Sequence, residues 1–235
     1  MGPEGRVLRI VGGIMAEEEK KRVQKRGGPS RKQVILDMAT IFFADKGFRN
    51  TAIGEIARMA GVADGTIFYH YKTKEDLFVA VLANFKELLL GESREYLAAH
   101  CFADGMEMVE GLLSFYLQLA AKMEERFLLL HRYYPYRLAL DNPRCREHLE
   151  AIYAFFVELF EQAIKRGQED GSIRQLSSRK TGLLLYTLVD GLVRLDTFKL
   201  YQAGTLHGEL IEFARNMLAV ENPCDCSVAA AGMQT

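Results

Sequence analysis

The chain has four cysteines, no tryptophan and a net charge of only −1 over 235 residues. Its cysteines, Cys101, Cys145, Cys224 and Cys226, form no CxxC pair and no zinc-ligand spacing. That excludes a disulfide framework and a zinc module. Reduced thiols in a cytoplasmic protein are the expectation. No metal is expected at Cys224 and Cys226, which have no histidine nearby. No apolar run approaches the ~20 residues of a membrane span. Residues 10–16 are apolar but short, glycine-containing and followed by EEEKKR, which makes a poor secretory leader. There is no G-x-S-x-G, no H-E-x-x-H and no phosphate-binding glycine loop, so neither catalysis nor a cofactor is expected. Asp190 is a lone carboxylate in an apolar stretch and reads as an interface or capping hydrogen-bonder. Neither strand-like alternation nor an internal repeat is present, which leaves an all-α chain.

What is present is a hydrophobic content of 49% and a mean hydropathy of −0.05, enough apolar surface to bury a core. The near-zero charge hides an asymmetry. Residues 1–76 carry 14 Lys and Arg against 10 Asp and Glu, and the rest carry 16 against 21. A basic end and an acidic end fit a nucleic-acid reader joined to a part with another task.

The stretch 51–77, TAIGEIARMAGVADGTIFYHYKTKEDL, organises the rest. From Thr51, the apolar residues Ile53, Ile56, Ala57 and Ala60 recur as one helical face. Gly61 breaks that helix, since glycine tolerates positive φ. A second short helix is predicted over residues 63–71. Two short helices around a tight glycine turn describe a helix-turn-helix, the second helix aimed at a DNA major groove.

This run resembles the DNA-binding motif of the TetR family of transcriptional regulators. The matching residues are Thr51, Ile56-Ala57, Ala60-Gly61-Val62, Gly65-Thr66-Ile67-Phe68-Tyr69-His70-Tyr71 and Lys72-Thr73-Lys74-Glu75-Asp76-Leu77. Ala63 stands where the family often has a capping Ser, and Asp64 where many members have Lys. The resemblance implies an N-terminal three-helix DNA-binding domain followed by a larger helical domain for ligand binding and dimerisation. The expected boundaries are a basic arm at 1–28, the reader at 29–76, the second domain at 77–220 and a tail at 221–235. The cluster Lys20, Lys21, Arg22, Lys25 and Arg26 reads either as a solvated tail or as an arm touching phosphates.

Ile67 and Tyr71 lie four apart and should face the core, leaving Ala63, Asp64, Gly65, Thr66, Tyr69 and His70 toward DNA. Thr66 suits a base edge or a phosphate. Tyr69 and His70 resemble family residues that hydrogen-bond phosphates. Thr51 can offer its hydroxyl and a helix N-terminus to a phosphate. Arg49, Lys72 and Lys74 are expected phosphate contacts. Asp64 can accept from cytosine N4 or cap its helix, and capping is the expectation.

Upstream, Ser30-x-x-Gln33 marks a capping box for the first helix. Thr73 should cap a fourth helix running past Gly91 toward His100. This helix links reader to sensor and is the expected transmitter. Further helices are predicted over 106–122, 124–132, from Asn142-Pro143 to Asp170-Gly171, over 178–201 and over 207–220. Candidate residues for a ligand cavity are Phe115, Tyr116, Phe127, His131, Tyr134, Tyr153, Phe156 and Tyr186, with His148 nearby. Singly each is ordinary core. Together they suit a largely apolar effector with a few polar handles.

Leu184, Leu188, Leu192 and Leu195 form a near-heptad stripe, and Leu210, Ile211, Ala214 and Leu218 another. These are the expected interface of a homodimer, whose two-fold axis would match a palindromic operator. The run from Gly61 to Ile67 is similar to that of fatty-acid-degradation regulators within the family, whose effectors are long-chain acyl-CoA. Acyl-CoA is therefore one candidate, although similarity in a recognition helix bears on operator rather than effector. The function expected is a ligand-responsive repressor. The rivals are a non-specific DNA-binding structural protein and a helical-bundle enzyme.

Overall fold

The computed structural model describes residues 30–220. The expectations for residues 1–28, for the tail and for Cys224 and Cys226 lie outside the described residues. Among the described residues every regular element is helical. The helices are α1 (Arg31–Asp45), α2 (Gly47–Asn50), α3 (Ile53–Met59), α4 (Asp64–His70), α5 (Lys74–Ala99), α6 (Gly105–Lys122), α7 (Glu124–His131), α8 (Tyr133–Asp141), α9 (Pro143–Asp170), α10 (Ser178–Thr197) and α11 (His207–Leu218), with a 3-10 turn at Ala203–Leu206.

The ends follow local chemistry. Ser30 accepts a hydrogen bond from the Gln33 amide at 3.2 Å. The expected capping box is only half formed, because the Gln33 side chain turns to Asp37 and Asn84 instead. Thr73 and Asp76 make the full reciprocal box at the start of α5. Asn142 caps α9 with Pro143 in its first turn, where the missing N–H costs nothing. Gly171 ends α9 at φ +84°, in the left-handed region. The helix expected over 178–201 stops at Thr197, because Lys199 takes φ +55°.

α1, α3 and α4 close over Ile35, Ala39, Phe43, Ile56, Ala57 and Ile67, all almost fully buried. α5 completes this small core with Leu77 and Phe78, then continues into the second domain with Leu82, Phe85 and Leu89. That domain is built around α9, which packs on α6, α8, α10 and α5. At one point helices nearly touch. A Cβ on Gly105 would lie 2.0 Å from the Gly167 backbone nitrogen. The small N-terminal core is not joined to the rest through α5 alone, since α1 also packs directly on α7.

Candidate nucleic-acid interface and sensor core

Gly61, at φ +66°, turns the chain from α3 into α4. α4 buries Ile67 and anchors on Tyr71. Its other face is open: Asp64, Gly65, Tyr69 and His70 are exposed and Thr66 is half-buried. Among the described residues Tyr69 is the most exposed of the large hydrophobic side chains, at 85%. A Cβ on Gly65 would meet no atom within 4 Å, so nothing in the protein obstructs backbone approach to a DNA surface there. Ala63, Arg49 and Lys72 are exposed beside it.

Three expected roles are corrected. Thr51 is only 2% exposed. Its hydroxyl donates inward to the carbonyls of Phe42 (3.0 Å) and Gly47 (2.9 Å). Ala52 occupies the capping position of α3, so Thr51 ties α3 to the end of α1 rather than facing a phosphate. Asp64 does not cap α4. Ala63 holds that position without a side-chain bond, and the Asp64 carboxylate leans on α3, 3.3 Å from where a Cβ on Gly54 would lie. Lys74 is folded back. Its ammonium lies 4.6 Å from the centre of the Phe48 ring and 3.4 Å from the Arg49 carbonyl. Burial holds its pKa below the ordinary lysine range.

In the second domain the structure gathers six of the eight expected cavity residues. Tyr116, Phe127, His131, Tyr153, Phe156 and Tyr186 pack ring against ring from α6, α7, α9 and α10. Asp190 of α10 reaches two of them, Tyr116 and His131. Its carboxylate accepts from the Tyr116 hydroxyl at 2.6 Å and sits 3.2 Å from His131 Nε2. His131 Nδ1 is 3.2 Å from Thr197 Oγ1. The carboxylate is therefore the hub of a partly buried polar network, with partners 59 and 74 residues away. Burial pushes the Tyr116 phenol well above its usual range, and Tyr186 and Asp190 add to the shift, so the hydroxyl stays a donor. Tyr136 and Tyr153 are hydrogen-bonded at the edge of the cluster.

Two expected residues lie elsewhere. Phe115 stacks on Tyr96 and lines an open groove of about 260 Å³ with Glu92, Glu95, Gln118, Leu119 and Lys122. Tyr134 stacks on Phe48 and donates to Glu75, at the joint with the reader. His148 lies on α9 near Lys86, and its pKa is depressed first by burial and then by that cation. Periodicity placed all three on helical faces but could not say which neighbour each face meets. Arg126 and Arg132 were missed for the same reason. They bind α1 residues 87 to 89 positions away, at Asp37, Ala44 and Asp45.

The expected dimer stripe divides. Leu184 and Leu195 are exposed and Leu188 is 36% exposed, joined by Leu183 and Phe198. Leu192 and Ile211 are half-buried. Leu210, Ala214 and Leu218 point inward and are buried, because α11 lays that face on α6. The large apolar residue that α11 leaves exposed is Phe213.

Among the described residues no group of acidic, histidine or cysteine side chains could hold a metal, and no helix is long and apolar enough to cross a membrane. Residues 35–81 match the family described as bacterial regulatory proteins, tetR family. The chain is similar to the HTH-type transcriptional repressor KstR2 of Rhodococcus jostii, 27% identical over 148 residues, covering 63% of this chain and 70% of the relative. Other curated relatives, an HTH-type regulator AcrR from Shigella flexneri among them, align over a third to a half of their own length. Among solved structures, a putative transcriptional regulator from Saccharomonospora viridis in complex with choline superposes with a TM-score of 0.72 at 21% identity, covering 81% of this chain and 98% of that one. FadR of Bacillus subtilis in complex with stearoyl-CoA gives 0.65 at 20%, covering 77% and 96%. At that identity the superpositions speak to the fold. The match over residues 35–81 spans the helix-turn-helix described above and identifies that segment as a tetR-family DNA-binding motif, and the curated relatives to which the chain is similar are regulators that carry the same kind of motif.

Proposed function

We propose that this chain is a ligand-responsive, sequence-specific repressor that acts as a homodimer on a palindromic operator, in the cytoplasm and without enzymatic activity. The observation that carries the reading is the exposed face of α4. Gly65, Tyr69 and His70 stand clear of the protein, with Thr66 half-buried beside them, on a helix held by Ile67 and Tyr71. One such helix spans only a half-site, so two copies are needed. The apolar face of Leu183, Leu184, Leu188, Leu195 and Phe213 supports pairing through α10 and α11.

The aromatic cluster around Asp190 is the proposed effector site. Tyrosine hydroxyls and one carboxylate among packed rings suit an apolar molecule with a polar end. Stearoyl-CoA and choline are the ligands carried by two structural neighbours, and both belong in the first screen. An effector works only through unequal affinity for the DNA-binding and non-binding states.

The test is a binding titration on a promoter-derived duplex against a random duplex at physiological salt. Affinity for the promoter sequence should exceed the random one by at least about a thousandfold. Equal affinity defeats the regulator reading and leaves a non-specific DNA-binding protein.

A further inference from the structure

We propose that Arg132 is a positioning residue that holds the DNA reader in place on the sensor, and that Asp190 sets Arg132 through His131. The proposal rests on the DNA-binding reading above and names a second route from sensor to reader beside α5.

Arg132 is the single extended residue between α7 and α8, with φ −68° and ψ 159°. Its guanidinium donates to the Ala44 carbonyl at 2.5 Å and the Asp45 carbonyl at 2.7 Å. These are the last two residues of α1, whose carbonyls have no partner within the helix. A cation there also meets the negative end of the helix dipole. The same short segment grips the reader twice more. Arg126 reaches Asp37 at 2.9 Å, and Tyr134 stacks on Phe48 while donating to Glu75 at 3.1 Å.

The residue just before Arg132 points the other way. His131 is 1% exposed and held between Asp190 and Thr197 of α10. One peptide bond thus separates a side chain seated in the sensor's polar core from a side chain capping the reader's first helix. The peptide is planar and α7 and α8 are hydrogen-bonded on either side. A change in where Asp190 holds His131 therefore shifts the Arg132 backbone and its grip on α1. An effector that competes for the Asp190 carboxylate would act at this point. Interior packing makes such an element switch between discrete arrangements rather than bend freely.

The test uses the full chain and a duplex selected by the wild-type protein from a random-sequence pool, with affinity read by fluorescence anisotropy over a range of salt. Arg132→Gln should weaken binding roughly threefold to thirtyfold, because a loosened reader must be ordered on binding. Its salt slope should match wild type, since Arg132 contacts carbonyls and not phosphates. Arg132→Lys should recover part of the loss. Asp190→Asn should weaken binding in the wild-type background and add little in the Arg132→Gln background. Wild-type affinity in Arg132→Gln overturns the proposal. So do losses that multiply as independent effects when the two changes are combined. If Arg132→Gln does not fold by circular dichroism, the same cycle with Arg132→Lys is judged by the same criteria. A wild-type protein that does not distinguish the selected duplex from a scrambled one removes the DNA-binding reading itself.

Discussion

The ring of Phe48 lies against that of Tyr134, centroids 3.8 Å apart and planes 8° from parallel. Phe48 belongs to α2, beside the helix-turn-helix, Tyr134 belongs to α8, and both meet Phe78 of α5 edge-on. The reader's small core is thus completed by the other domain. Phe48 is half-buried, so Phe48→Ala should cost less than the ~3 kcal/mol at the low end for a fully buried aromatic. Thermal unfolding should show both domains melting together at the lower temperature. Loss of the reader alone, with the sensor transition unmoved, would contradict the joint.

The exposed face of α4, with Lys72 just beyond it, should divide into positioning and reading contacts. Tyr69→Ala and Lys72→Ala should weaken binding to every duplex, and Lys72→Ala should reduce the salt slope by about 1. Lys74→Ala should reduce it less, because that ammonium is turned onto Phe48. Thr66→Ala should instead alter preference at one base position by about 1–3 kcal/mol. Binding measured on a panel of single-base operator variants separates the two effects.

For the dimer, Leu184→Glu combined with Phe213→Glu should give a folded monomer with half-site affinity only. Sedimentation would read the mass directly. Leu218 is fully buried. Leu218→Ala should therefore destabilise the fold by about 2–5 kcal/mol whether or not dimers form. A dimer that survives both surface charges removes the proposed interface.

Cys145 is fully buried and donates toward the Pro135 carbonyl. Burial pushes its thiol from 9.0 up to about 11, with Glu75 adding to the shift. The folded state therefore disfavours the thiolate. The stability this confers is complete below pH 9, the ordinary value, and is lost as pH rises toward about 11. Iodoacetamide at pH 8, followed by peptide mapping, should label the exposed Cys101 and spare Cys145 until the protein unfolds.

Two glycines should respond oppositely to alanine. Gly105→Ala drives a methyl into the α9 backbone at Gly167 and should destabilise strongly. Gly91 lies within α5 with nothing near its missing Cβ. Gly91→Ala should stabilise by about 0.4–1 kcal/mol. Chemical denaturation of the pair measures both.

The sequence by itself determined the long helices, the Thr73 and Asn142 caps and the reading motif, because these are local; α8 and the uncapped start of α4 were not legible in it. Asn142-Pro143 caps α9, Thr73 caps α5 and Gly61 turns α3 into α4 wherever the rest of the chain lies. Helical spacing also separated Ile67 and Tyr71, which hold α4, from Tyr69 and His70, which face outward. Only the tertiary structure decided which neighbour each face meets. It turned the Thr51 hydroxyl inward and Lys74 onto Phe48, and it buried Leu218 while leaving Phe213 exposed. It also set Asp190 against Tyr116 and His131, and Arg132 against the end of α1. The reason is physical. A helix repeats every 3.6 residues and so records in its own sequence which side is apolar. The partner of that side lies tens of residues away, chosen by the packing of the whole chain.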